Sequence, residues 1–471
     1  MTEAGVKKTK FALFVGTRTF FPPKYIEQAR KEIPEVLKEL GNEYLEFPAA
    51  QTKTGGIETT DDGEKYARWL EDHRGEFGGV ILSQPNFADE RGVTAALKNA
   101  DVPIYIQTYP DKLDAMGPAD RRDGFCGRIS ITDNLWKYKI PFTVLPPHTL
   151  EVTDPKFSEQ VQFFDSVCRV ANSLNGMRVG AIGARTTAFK TVRIDEDSLE
   201  AHGISMETYD LLKVFMRMEQ IKDSDPAYKA KIEDLKNYSS WCDASEKAMP
   251  SIAKLGVVID RMIEEDGLNA IALRCWDEMQ EYLHISPCVL MSQYNERGKP
   301  AACEVDVGNA VAMYALMQAS GNPVACLDWN NNYGDDEDKC ILFHCGPVPQ
   351  DMMIDKGWIS DHMIIKNAFG PDKGYGCNQG RIKPGAMTFA SMRTAEGKPE
   401  FYIGEGEFTS DPIPVNFFGC AGVAEIPDLQ DVLLYVCENG HRHHTSVTPG
   451  HVAEAVYEGI TKYRGMSVDF V

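Results

Sequence analysis

Apolar and polar positions alternate along the first third of the chain in two distinct rhythms. Short continuous apolar runs, FALFVG at 11–16, GGVILSQ at 78–84 and VPIYIQ at 102–107, read as buried strands. Between them, near 24–40, 64–75 and 89–99, apolar residues recur every three or four positions, the spacing of a helix with one buried face. Strand–helix–strand alternation predicts a parallel sheet covered by helices. The rhythm restarts at GMRVGAIGARTTAF (176–189), with helices expected around 208–220, 227–237 and 243–265 and a buried strand in NAIALRCW (269–276). The Pro-containing stretch PPHTLEVTDPKF (146–157), followed by a helix to about 173, marks a boundary between the two units.

From Cys340 onward the pattern changes. Runs rich in β-branched and aromatic residues, CILFHCG, AMTFASMR, EFYIGEGEF, VNFFGCAGVAEI and DVLLYVCENG, are separated by Gly and Pro and read as antiparallel strands. A helix is expected in GHVAEAVYEGITKY (450–463). Just upstream of the β-rich part, Val305–Ser320 has a helix pattern that stops at Gly321, Asn322 and Pro323, and VACLD (324–328) follows as a strand. The fold class is therefore α/β, two Rossmann-like α/β domains followed by a C-terminal antiparallel, barrel-like β-rich domain. The expected boundaries are 1–172, 173–322 and 323–471.

The composition suits a folded protein: 471 residues, 43% hydrophobic and 25% charged. A net charge of −21 argues against nucleic acid and an anionic membrane surface as partners. No run approaches the ~20 apolar residues that span a bilayer, and Phe11–Val15 is too short for a signal peptide's core. Twelve cysteines without a CxxC pair read as reduced thiols of a cytoplasmic protein. Cys303, Cys326, Cys340 and Cys345 are expected as small core residues.

Four of the ten histidines, His441, His443, His444 and His451, crowd into ENGHRHHTSVTPGH (438–451). The run follows the last expected strand, so it is placed at a strand end or loop. A helix of about 16 residues rises roughly 24 Å, and a strand running back returns most of that distance. Glu304 at the helix start and Asp328 at the strand end thus lie at one end of the unit. Two carboxylates and an imidazole make a hard site that suits Mn²⁺ or Mg²⁺. On the other side, an acid such as Glu304 or Asp306 in a first helical turn commonly serves the helix dipole, and a histidine-rich loop is commonly a solvated one.

AACEVDVGNA (301–310), Asp328 and HHTSVTPGHVAEA (443–455) resemble the corresponding segments of L-fucose isomerases. FVGTRTFFP and RVGAIGARTTAF…DSLEAHGI are similar to segments of L-arabinose isomerases. The resemblance implies two Rossmann-like domains with a C-terminal β-rich domain. It implies a homo-trimer or homo-hexamer with active sites between subunits, and a Mn²⁺-dependent aldose–ketose isomerisation through a cis-enediol. Carried over by motif, Glu304 is metal ligand and base, Asp328 the second metal carboxylate and His444 the histidine ligand. His344, in LFHCGP, matches a further metal histidine of the arabinose isomerases. Arg18 matches a residue that reaches substrate across a subunit interface, and Arg274 and Trp276 a substrate-side segment. WNNNYGDDED (329–338) matches neither enzyme, so a pentose, a 6-deoxyhexose and a C6-modified hexose all stay open. The competing readings are a non-catalytic cytoplasmic sugar-binding protein and a nicotinamide-dependent dehydrogenase. The dehydrogenase rests on VGAIGARTTAF, which offers GxxG where a dinucleotide fingerprint needs GxGxxG.

Overall fold

The computed structural model of the protein describes residues 5–242 and 246–471. They fall into two compact units. The smaller holds residues 7–172 and 458–465, the larger 5–6, 173–457 and 466–471.

In the smaller unit, β1 (Phe11–Val15), β2 (Tyr44–Glu46), β3 (Gly79–Gln84) and β4 (Ile104–Thr108) form a parallel sheet in the order β2-β1-β3-β4. Every residue of β1, β3 and β4 is buried. That is why these strands are mainly apolar instead of alternating, with polar residues only at the ends of β3 and β4: helices cover both faces of a parallel sheet. Lys24–Leu40 ends at Gly41 with φ +73°, and Thr59 with Asp62 forms a capping box at Thr60–Asp72. Near the C-terminus, Tyr463 joins this unit, its hydroxyl 2.9 Å from Thr143 Oγ1.

The larger unit opens with β5 (Met177–Ile182), β6 (Ile204–Tyr209), β7 (Ser240–Trp241), β8 (Ala270–Leu273) and β9 (Ala301–Cys303). All but β7 make a second parallel sheet, ordered β6-β5-β8-β9. The helix expected at 243–265 is Met249–Asp266, and residues 243–245 lie outside the described residues. Nine strands follow: β10 (Ala325–Tyr333), β11 (Asp336–His344), β12 (Trp358–Asp361), β13 (Tyr375–Arg381), β14 (Gly385–Ala395), β15 (Lys398–Phe408), β16 (Cys420–Glu425), β17 (His444–Pro449) and β18 (Ser467–Phe470). With β7 they build a ten-stranded sheet in which β15 pairs with both β14 and β16. The strands β15-β14-β17-β10-β11-β16 therefore close a ring of antiparallel neighbours. Leu327, Leu342, Phe389, Tyr402 and Val447 belong to its core. The sheet as a whole is mixed, because β18, β13 and β7 attach in parallel.

Four local expectations are corrected. DVLLYVCENG is not a strand but the helix Leu429–Glu438, whose buried residues Leu429, Val432 and Val436 keep helical spacing. Asp328 is not at a strand end: β10 runs on to Tyr333, and the polar residues after Asp328 pair with β11 as an exposed hairpin. The helix expected from Val305 begins at Val307. The histidine run follows that Leu429–Glu438 helix, and His444 opens β17.

Candidate metal centre

The chain makes an unusual turn between β9 and the Val307–Ser320 helix. Glu304 and Val305 both lie in the left-handed region, with φ +54° and +61°. For a β-branched valine this is a true outlier, of order 1–3 kcal/mol unfavourable. The surroundings over-determine it. Val305 N–H donates to Leu273 O at 3.3 Å and Asp306 N–H to Cys303 O at 2.9 Å. Asp306 then caps the helix, its Oδ1 accepting from the Asn309 N–H at 3.0 Å. The turn holds the Glu304 side chain inside the protein, 4% exposed.

The other parts come from the ring. β10 and β17 pair so that Asp328 lies directly opposite His444, and His344 ends β11. His444 Nε2 is 3.2 Å from Glu304 Oε2 and 3.4 Å from Asp328 Oδ1. His344 Nε2 is 3.7 Å from the same Glu304 oxygen. The ligand atoms of Glu304, His344 and His444 all lie within 4.8 Å of one another, as do those of Asp328, His443 and His444. Glu304 Oε2, Asp328 Oδ1 and His344 Nε2 are buried and make no hydrogen bond with any described residue. Glu304 Oε2 and Asp328 Oδ1, both turned toward His444 Nε2, are buried acceptors that are costly to leave unpartnered unless a cation joins them. Hard oxygens with imidazole nitrogens suit a divalent ion such as Mn²⁺ or Mg²⁺, so the residues present fit the group.

His444 is set up for that role. Its Nδ1 is 2.8 Å from Asp306 Oδ2, which leaves Nε2 to face the two carboxylates. Asp306 in turn pairs with Arg442, and both are buried. Burial alone would raise the Glu304 carboxyl, but the neighbouring His344 and His444 imidazoles hold it well below the usual range. For Asp306 burial is likewise outweighed, by Arg442 and His444, and its carboxyl falls to about 2. Burial would lower His444; Cys326, Asp306 and the Glu304 carboxylate beside it raise it well above an ordinary histidine instead. Around Glu304 and Asp306, then, the protein favours carboxylates over carboxylic acids.

The remaining histidines separate. His443 lies beside Asp328, Nε2 to Oδ1 3.6 Å, and stacks on Phe189 with centroids 6.1 Å apart. His441 packs on Tyr402 and Tyr435 instead, and His451 stands exposed near Glu405. Trp276 sits against Phe189 and His362. Arg274 spends its guanidinium on Trp276 O at 2.7 Å, Ala184 O at 3.0 Å and the Glu278 carboxylate, and lines a cavity of about 660 Å³ with Asp210, Phe215 and Tyr282. Arg18 belongs to the smaller unit, where it lies between Asp89 and Glu90 and over the Phe87 ring at 4.2 Å.

Three residues of this centre escaped the sequence reading. Asp306 was weighed only as a helix-dipole acid, and Arg442 was hidden inside the histidine run. His362, 1% exposed, caps the Met363–Phe369 helix through Nδ1, packs on Trp276 and Phe418, and keeps Nε2 buried without a hydrogen bond to any described residue. Burial lowers it to about 4, and the nearby charges of His344 and Glu304 act on it as well. An isolated histidine before a short helix carries no signal in sequence.

The N-terminal domain of fucose/sulfoquinovose isomerases matches residues 12–175, and the C-terminal domain of L-fucose isomerases matches residues 342–471. The chain belongs to the L-fucose isomerase family. It is a sugar isomerase of the aldose–ketose class. Among its relatives, the sulfoquinovose isomerase of Priestia aryabhattai is 22% identical over 328 residues, 68% of this chain and 72% of that protein. The sulfoquinovose isomerase of Alkalicoccus urumqiensis is 20% identical over 279 residues, 59% of this chain and 61% of its own. Solved structures give only remote likenesses. A periplasmic solute-binding protein from Actinobacillus succinogenes 130z with bound D-allose has 13% identity and TM-score 0.18, covering 67% of this chain and 92% of that one. Apo D-lactate dehydrogenase from Escherichia coli has 10% identity and TM-score 0.15, covering 65% and 93%. At such scores neither carries an argument.

Proposed function

We propose that the protein interconverts an aldose and a ketose with a divalent cation, Mn²⁺ first, held by Glu304, Asp328 and His444, with His344 beside them. The observation that carries this reading is the convergence of unpartnered Glu304 Oε2 and Asp328 Oδ1 on His444 Nε2. Such a cation would supply Lewis-acid stabilisation of the charge that builds as the carbon-bound proton leaves. Glu304, buried beside the proposed cation and ionised, is placed to take the proton from one carbon and return it to the next, through a cis-enediol. Asp328, about a fifth exposed, handles the hydroxyl proton. Trp276 and Phe189 give an apolar wall and His362 a neutral N–H for a sugar hydroxyl. Arg274 acts on the substrate side through the Trp276 carbonyl that it holds.

The substrate class follows the relatives named sulfoquinovose isomerase: a C6-modified hexose, anionic at C6, ahead of a 6-deoxyhexose or a pentose. The larger assembly is a homo-trimer or homo-hexamer, with Arg18 reaching the sugar bound in a neighbouring subunit. Phe125, Ile129 and Trp136, exposed along one helix of the smaller unit, support burial against a second copy. A division at 1–172, 173–322 and 323–471 assigns one sheet to each part, except that β7 joins the sheet of the third. Twelve free cysteines support a cytoplasmic site of action.

The test is aldose–ketose interconversion of pentoses, 6-deoxyhexoses and C6-anionic hexoses in D₂O, after chelation and again with Mn²⁺. Metal-dependent turnover with deuterium at C1 or C2 is expected. Glu304→Gln is expected to fold and to lose at least about a thousandfold in turnover. Near wild-type rates in that variant would remove Glu304 from the chemistry.

A further inference from the structure

Isomerisation makes no use of the sulfur around Glu304. Nine of the twelve cysteines are buried, and two of them flank this carboxylate. β8 and β9 run parallel with Leu273 opposite Cys303, which places Cys275 just past the end of β8 and Cys303 immediately before Glu304. Cys275 Sγ lies 3.6 Å from Glu304 Oε1. The two Sγ atoms and a Glu304 oxygen all lie within 4.8 Å of one another. Cys275 is 3% exposed and Cys303 fully buried. A third sulfur, Met291 Sδ, is 3.8 Å from Cys303 Sγ.

Glu304 thus stands between two donor sets of opposite character. Its Oε2 faces imidazole nitrogen at 3.2 and 3.7 Å, and its Oε1 faces thiol sulfur. Imidazole and carboxylate accept hard or borderline ions, whereas thiolates select soft ones. Around an ion with metal–sulfur bonds of ~2.3 Å, tetrahedral ligand atoms stand roughly 3.8 Å apart. The Cys275 Sγ–Glu304 Oε1 distance of 3.6 Å is close to that spacing.

We propose that Cys275, Cys303 and Glu304 form a binding site for a thiophilic divalent cation, Zn²⁺ or Cd²⁺, beside the oxygen–imidazole centre and sharing Glu304 with it. On binding, both thiols release their protons to solvent, two metal–sulfur bonds form, and Glu304 Oε1 supplies the third ligand. No electron is transferred. An ion held there draws Glu304 away from the histidine side, so the site is inhibitory to isomerisation. The donor set stands without the isomerase reading, and its test does not depend on turnover.

Chelator-treated full-length protein is titrated with Cd²⁺ while thiolate-to-metal charge-transfer absorption is followed. The wild type is expected to show a step saturating at one ion per chain that is missing from Cys275→Ser/Cys303→Ser. X-ray absorption of wild-type protein carrying one Zn²⁺ per chain, which needs no variant, is expected to give a shell of two sulfurs completed by oxygen or nitrogen. An unchanged Cd²⁺ step in the double variant, or a Zn²⁺ shell without two sulfurs, overturns the site. A protein that turns over no sugar yet gives both spectra retains this site and loses the isomerase reading.

Discussion

Asp306 serves two tasks with one carboxylate. Oδ1 caps the Val307–Ser320 helix and pairs with Arg442; Oδ2 accepts from Asn309 Nδ2 at 2.7 Å and orients His444. Asp306→Asn keeps a cap but weakens the hold on the imidazole tautomer. Mn²⁺ affinity by calorimetry is expected to fall about 10–100-fold. The same variant has a pH signature. The Asp306 carboxyl is lowered in the folded protein, so its stabilisation is fully present above its ordinary value of 3.8 and fades as pH falls through about 2. The urea midpoints of wild type and variant should differ most above pH 4 and converge in stronger acid. His362 offers a separate test. His362→Asn retains the helix cap yet deletes the Nε2 donor, so KM should rise about 3–10-fold with metal affinity unchanged. An unchanged KM would leave His362 as a capping residue only.

At the scale of elements, the first turn of the Val307–Ser320 helix is tied to its neighbours by a glycine. A Cβ on Gly308 would run into the Met392 carbonyl and come within 2.7 Å of Arg442 Nη1. Alanine favours a helix interior over glycine by about 1 kcal/mol, but overpacking against backbone costs typically 1–3 kcal/mol, and here it also displaces a buried ion pair. Gly308→Ala should therefore lower the melting temperature, and a rise would show that Arg442 has room to move. These elements also mark the limits of sequence. The β1, β3 and β4 runs were legible because burial on both faces of a parallel sheet writes itself as unbroken hydrophobicity. The Leu429–Glu438 helix was misread because ten apolar-rich residues fit either period, and β10 was cut short because its outer half is polar. Glu304 and Asp328 could be placed at one end of their unit by helix and strand length, whereas His344, and His444 among its neighbours, were named only through the resemblance to sugar isomerases. Asp306, Arg442 and His362 could not be named, because their roles rest on partners brought close by tertiary packing alone.

At the scale of the whole molecule, a chain of net charge −21 resists association with its own copies. The exposed Phe125, Ile129 and Trp136 work in the opposite direction. Assembly should strengthen with added salt, which screens the repulsion, and Trp136→Glu should shift sedimentation toward the single chain. A wild type that stays monomeric at every salt concentration would contradict the proposed trimer or hexamer.

The six-strand ring carries a further consequence, for the order in which a new chain is made. Asp306 and His444 are 138 positions apart. At roughly 5–20 residues per second of synthesis, Glu304 and Asp328 emerge from the ribosome some 6–30 s before the strand that completes their site. Until β17 arrives, β10 and β14 each lack a neighbour, and buried carboxylates wait without their imidazole. The smaller unit, though it emerges first, waits as well for residues 458–465. A nascent chain halted before His444 should then be cut readily by protease and hold no Mn²⁺, and release of residues 444–471 should bring protection and metal binding together.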